Sequence, residues 1–144
     1  MTPRGGECVA VVHPNKSGGI ASATEQLAQW AHDAGQPAPH VVATTAESPG
    51  TEQASEAVAA GADLVLAWGG DGTVNAVAAG LAGTGVALGI LPAGTGNLLA
   101  RNVGIPLKLR DAAAAAFTGE DRTIDLLDIG LGGRVTTCSV MAGI

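Results

Sequence analysis

Tyrosine is absent from the 144 residues, and the aromatic side chains are only Trp30, Trp68 and Phe117. A core must therefore be built from Ala, Val, Leu and Ile. Charged residues are also scarce, at 14% against 47% hydrophobic, which excludes a disordered chain. There is no basic run and the net charge is -6, so no nucleic-acid partner is expected. Nor does this overall charge provide a membrane anchor. Cys8 and Cys138 lack CxxC spacing and read as two reduced cytosolic thiols. The opening MTPRGGECVAVVHP lacks the long apolar stretch of a signal peptide. Thr73 to Ala100 is free of charge, yet Gly83-Thr84-Gly85, Pro92 and Gly94-Thr95-Gly96-Asn97 break it. That excludes a spanning helix and favours a helix, a turn, a buried strand and a glycine loop.

Glycine is what the chain has in excess, 22 of 144. In a globular chain this points to tight turns and close backbone approaches. Short apolar runs predict strands at Cys8–His13, His40–Thr45, Asp63–Trp68 and Val86–Leu91. Helical spacing predicts a helix over Ile20–Ala34, with Gly35 as its C-cap. A second helix is expected to start at Ser48-Pro49, as N-cap and first position, and to run to about Ala60. Further helices are expected over Val74–Leu81, over Leu98–Val103, and from Pro106 to near Gly119. Thr123–Ile129 and Val135–Met141 read as strands of a mixed or antiparallel section. Strands alternating with helices predict one α/β domain, a three-layer sandwich around a mainly parallel sheet. Ligands of such sheets sit at the strand carboxyl ends, where both glycine-rich loops fall.

The first loop is Gly69-Gly70-Asp71-Gly72-Thr73, between a strand and a helix. Its glycines let backbone approach a phosphate, and the helix start offers unpaired N–H groups. Asp71 is a candidate Mg²⁺ ligand through water, and Thr73 a candidate helix cap. The second loop, Pro92-Ala93-Gly94-Thr95-Gly96-Asn97, repeats the pattern, and two such loops at one sheet edge can hold one polyphosphate. Other nucleotide motifs fail: Asn15 precedes Lys16-Ser17 where a Walker A loop needs Gly, and Leu99 stands where a dinucleotide fingerprint needs Gly or Ala. No His pair has metal-ligand spacing and no Ser sits in a G-x-S-x-G elbow.

GGDGTVNAVAAGL (69–81) with PAGTGNLLARNVGIP (92–106) resembles the diacylglycerol kinase catalytic domain family, which also contains sphingosine, ceramide and bacterial lipid kinases. GGDGT is shared with NAD kinases and 6-phosphofructokinases; P-x-G-T-x-N selects the lipid-kinase branch. His13-Pro14-Asn15-Lys16 stands where the family has Asn-Pro, and Ile124-Asp125-Leu126 resembles its Ile-Asp-Leu element. The similarity covers essentially the whole chain. It implies ATP-dependent phosphorylation of a lipid hydroxyl with Mg²⁺. It assigns nucleotide binding to His13, Asn15 and Lys16, to Gly69, Gly70, Gly72, Thr73 and Asn75, and to Gly94, Thr95, Gly96 and Asn97. Asp71 would be catalytic and toward the metal; Asp125, which interrupts an apolar strand, reads either as a second metal contact from the cleft or as a solvated strand-end carboxylate.

The same resemblance makes residues 1–144 the N-terminal nucleotide-binding domain, followed in the family by a β-sandwich that carries the general base and the lipid site. The implied partners are a lipid substrate through that second domain and the inner membrane face, touched peripherally from the cytoplasm. An unpaired Val135–Met141 edge would allow a homodimer. Three residues depart from the family pattern. His13 replaces Asn and brings a pH-dependent charge. Ala76 replaces Glu, which removes a capping box if Thr73 is the N-cap. Leu98 replaces Asp, as sphingosine kinases also lack a carboxylate there. Two other readings are a soluble-substrate kinase of the NAD kinase type, which does not need the second loop, and a non-catalytic nucleotide-binding module. Among smaller candidates, Trp68 reads as core rather than an adenine platform, and Arg101 as either a phosphate contact or a helix-closing cation. Asp128, Lys108 and Arg110 read as solvated.

Overall fold

The computed structural model describes residues 7–119, 121–128 and 134–141, with backbone alone over 121–139. The order is β1 (Glu7–Val12), α1 (Ile20–Asp33), β2 (His40–Ala43), α2 (Thr51–Ala59), β3 (Ala62–Gly69), α3 (Asp71–Leu81), β4 (Ala87–Pro92), α4 (Leu98–Val103), α5 (Leu109–Thr118), β5 (Asp121–Asp128) and β6 (Arg134–Met141). The strands form one six-stranded sheet in the order β2-β1-β3-β4-β6-β5. All neighbours are parallel except β5, which runs antiparallel to β6. Helices α1 and α5 pack side by side, and α2 packs on α3. These pairs cover the two faces, the three-layer α/β sandwich expected. Every residue of β4 is buried, as are all but Asp63 in β3. A central parallel strand is covered on both faces, so its sequence shows no alternation.

Small residues let the layers close. A methyl on Gly89 of β4 would stand 2.8 Å from Ala116 Cβ of α5, and one on Gly80 of α3 would stand 2.7 Å from the Thr51 carbonyl of α2. Trp68 is 3% exposed, and its ring lies 5.5 Å from that of Trp30. It is core, and the adenine-platform alternative falls away.

Three helix starts differ from expectation. Helix α2 begins at Thr51, after Gly50 at φ 147, because Ser48 is held in the preceding loop by Gln53. Helix α3 begins inside the glycine motif, with Gly70 as N-cap, so Thr73 is not the cap. Ala76 is therefore the sixth helical residue, outside any capping box, and its carbonyl accepts the Thr51 hydroxyl at 2.7 Å. Helix α5 begins at Leu109 rather than Pro106. The delay follows from how α4 ends: Gly104 takes φ 79 and the N–H of buried Ile105 bonds back to Ala100 O at 2.8 Å. This closure ties the chain down before it can start another helix. Strand β6 lies between β4 and β5, so the outer strand is β5, while β6 pairs with β4 only at Ser139 and Val140. The uncharged Thr73–Ala100 stretch divides into α3, β4 and the start of α4. Among the described residues, no helix is long and apolar enough to cross a membrane.

Candidate functional site

The parallel strands bring four carboxyl ends to one edge, where backbone bonds join them. Thr44 N–H donates to Val12 O, His13 N–H to Trp68 O, and Ala93 N–H to Gly69 O, each at 2.9 Å. The chain leaves β1 toward β2 and leaves β3 in the opposite direction, toward β4. The crevice of such a sheet opens where the winding reverses. A cleft of about 650 Å³ lies there, lined from the β1 side by His13, Pro14, Asn15 and Lys16. Gly70 to Thr73 and Gly94 to Gly96 form further walls.

The first loop is a helix start. Val74 N–H makes the first helical bond, to Gly70 O, at 3.0 Å. The N–H groups of Asp71, Gly72 and Thr73 precede it and have no partner within the helix ladder. Thr73 is buried under Gly69, where a methyl would stand 2.5 Å from Thr73 Oγ1. Gly69 thus packs beneath the loop and is not a wall of the cleft.

The second loop is shaped by its own side chains. Asn97 takes the left-handed conformation, φ 51 and ψ 48, which Asn tolerates better than most residues. Its amide folds back on Gly94, with Oδ1 accepting the N–H and Nδ2 donating to the carbonyl, both at 3.0 Å. Asn97 therefore acts on the loop's shape, outside the cleft lining. Arg101 Nε donates to Gly96 O at 2.8 Å, so Arg101 braces this loop rather than the end of α4.

The two loops touch. A methyl on Gly94 would stand 2.7 Å from Gly70 Cα, and one on Gly96 would stand 2.8 Å from Asp71 Oδ2. Asp71 Oδ1 accepts the Leu98 N–H at 2.7 Å, which places one carboxylate at the start of both α3 and α4. From the β1 side, Lys16 passes over the junction, its Cε 3.5 Å from a methyl built on Gly70. His13 Nδ1 accepts the Lys16 N–H at 3.3 Å, so a neutral ring carries its proton on Nε2.

Besides Gly69 and Asn97, two more expected residues are outside the cleft lining. Asn75 lies on the exposed face of α3, outside the lining. Asp125 pairs with Thr137 on β6, while Ser139 and Val140 of β6 pair with Ala87 and Leu88, the first residues of β4. Its backbone is thus past the amino end of β4, roughly 20 Å along the strand axis from the glycine loops. Its side chain lies outside the described residues. Conversely, sequence reasoning missed Thr44, Thr45, Ala46 and Pro49, which line the cleft from the β2–α2 connection. The signal was available: the end of any parallel strand adjoining β1 must reach the same edge.

The sequence pattern of the "diacylglycerol kinase catalytic domain" matches residues 7–129. A Klebsiella pneumoniae protein named "probable lipid kinase YegS-like" is 38% identical over 112 residues, covering 68% of this chain and 38% of that protein. A Mycobacterium tuberculosis diacylglycerol kinase is 52% identical over 71 residues, covering 49% of this chain and 23% of that protein. A crystal structure of a diacylglycerol kinase from Bacillus anthracis strain Sterne superposes with a TM-score of 0.69 at 26% identity, covering 83% of this chain and 46% of that one. The chain thus spans less than half the length of each. With the pattern matched from β1 through β5, and the same fold in a solved relative, the chain belongs to the diacylglycerol kinase catalytic domain family.

Proposed function

We propose that this chain is the nucleotide-binding half of a kinase that transfers the terminal phosphate of ATP to the hydroxyl of a lipid. The observation that carries this is the contact between the two glycine loops, Gly70 against Gly94, beside a cleft with Lys16 on its rim. A side chain at position 94 or 96 would occupy the space where the loops meet. A polyphosphate fits such a cradle: N–H groups at the start of α3 and the Lys16 ammonium meet its negative charge. Among the described residues no cluster of three His, Cys, Asp or Glu side chains could hold a metal alone. A cation here would rest on Asp71, water and phosphate oxygens, the usual habit of Mg²⁺. When bound, Mg²⁺ supplies neutralisation of the phosphate charge.

The chain's own contribution is positioning. The Asp71–Leu98 bond keeps both loops in one register, and Asn97 and Arg101 hold the second loop's backbone against the first. Phosphoryl transfer depends chiefly on such placement and on electrostatics. The acceptor lipid and the base that receives its proton are assigned to the portion of the relatives outside the match. The names of the relatives support a lipid acceptor over NAD. Incubating the longest available form of the protein with ATP, Mg²⁺ and either diacylglycerol, sphingosine or NAD tests the reading. Phosphorylated lipid is expected. Phosphorylated NAD would replace it with the soluble-substrate reading, and nucleotide binding without any acceptor would favour a regulatory module.

A further inference from the structure

Three large hydrophobic side chains are exposed among the described residues, and two of them, Leu98 (64%) and Leu107 (41%), lie on and just after α4. The same stretch carries three of the chain's seven Lys and Arg: Arg101, Lys108 and Arg110, all exposed. No acidic residue occurs between Asp71 and Asp111, although the whole chain is acidic. This placement runs against local energetics. Lys108 is the N-cap residue of α5 and Arg110 is its second helical residue. The dipole at a helix start disfavours cations. Among the described residues no ion pair involves either side chain. The nearest acid in the chain, Asp111, follows in the same first turn.

The segment also lies at the edge that carries the cleft. Helix α4 starts there, bonded to Asp71 through Leu98 N–H. Helix α5 places Ala116, near its end, against Gly89 in the amino-terminal half of β4. Its first residues stand about 10 Å back along the helix, and only residues 104–108 separate them from the end of α4. Exposed leucines flanked by unpaired cations are the pattern of a surface that meets a lipid interface: the cations meet anionic headgroups and the leucines enter the acyl boundary. We propose that the α4–α5 connection is a docking surface for an anionic bilayer, with Leu98 and Leu107 as the apolar contacts and Lys108 and Arg110 as the headgroup contacts. Its purpose rests on the lipid-kinase reading, because it would turn the cleft edge toward the membrane that holds the acceptor.

Vesicle sedimentation tests this without nucleotide or turnover, so its failure and the failure of the kinase reading are separate results. The probes are phosphatidylcholine vesicles with and without about one third phosphatidylglycerol. Binding to the anionic vesicles alone is expected, falling as salt rises. The double change Lys108→Gln with Arg110→Gln should weaken that binding roughly 30-fold. Leu107→Gln should weaken it several-fold at low salt, and all these variants should keep the parent's melting temperature and ATP affinity. Equal binding to both vesicle types, or full binding by the double variant, overturns the proposal. So does a concentration-dependent dimer that Leu107→Gln abolishes in the absence of vesicle binding, which would assign the surface to a second copy of the chain.

Discussion

Asp71 bonds across the two loops and is proposed to hold the metal, and one pair of variants separates the bond from the proposed role. Its Oδ1 accepts the Leu98 N–H at 2.7 Å, and its charge faces the cleft. Asp71→Asn keeps an acceptor oxygen and removes the charge. In the longest available form of the protein we expect turnover to fall by about 10²-fold or more, with an unchanged melting temperature. Asp71→Ala loses the inter-loop bond as well, and should cost about 1 kcal/mol of stability in a denaturant titration. Near-normal kinetics in Asp71→Asn would remove the metal role and leave only the structural one. Leu98 is now a simpler case than its sequence suggested. An Asp there could have been buried, but the side chain is 64% exposed. Leu98→Asp should therefore change stability by less than about 0.5 kcal/mol, and kinase assays of the longest available form across Mg²⁺ concentrations should show higher activity. An unfolded Leu98→Asp variant would contradict the exposure.

The short helix α4 depends on its ends more than on its length. At six residues it is too short to be stable alone. Asn97 starts it in a left-handed turn, Asp71 takes its first N–H, and Gly104 closes it. Arg101 then holds the glycine loop to the helix through Gly96 O. Arg101→Ala removes an exposed side chain, so the melting temperature should barely move. Nucleotide affinity, read by calorimetry, should drop several-fold as the loop loosens. Unchanged affinity would make Arg101 a bystander. Gly94→Ala acts across elements. Its methyl would meet the Gly70 backbone at 2.7 Å, and backbone cannot rotate away. We expect about 1–3 kcal/mol of destabilisation and loss of measurable nucleotide binding, with Gly72→Ala as the milder control, since nothing lies within 4 Å of that position.

The chain as a whole brings both glycine loops to one cleft but aligns to less than half of each relative. We propose that the 144-residue chain binds adenine nucleotide weakly and phosphorylates no lipid. Catalysis needs the acceptor hydroxyl in line with the phosphate, and that placement is assigned to the relatives' remaining length. Lipid phosphorylation by purified 1–144, at the rate of a longer form, would overturn this division. Strand β6 pairs with β5 along its whole length but with β4 only at Ser139 and Val140, so the expected homodimer has both β5 and the β4 side of Arg134–Cys138 to use. We propose that a dimer would form through this C-terminal segment, and sedimentation at rising concentration would detect it.

Much of this was legible along the chain because it depends on neighbours in sequence. Apolar runs and glycines located β1, β3 and β4, and helix α4 fell on the residues expected, since Gly104 needs no distant partner to end it. The alternation of strands and helices implied a parallel sheet, hence one edge for both glycine loops. Other features required contacts between residues far apart in the chain. The first residues of α2 are seated on α3, with Gly50 against Val77 and Thr51 bonding Ala76 O. Asp71 reads as a metal ligand in its own loop, yet its carboxylate also caps a helix 27 residues later. Asp125 shares a motif with the family but leaves the cleft edge because of how β6 registers on β4. Strand register and inter-loop contact are settled by packing between elements, and no local pattern of residue types encodes them.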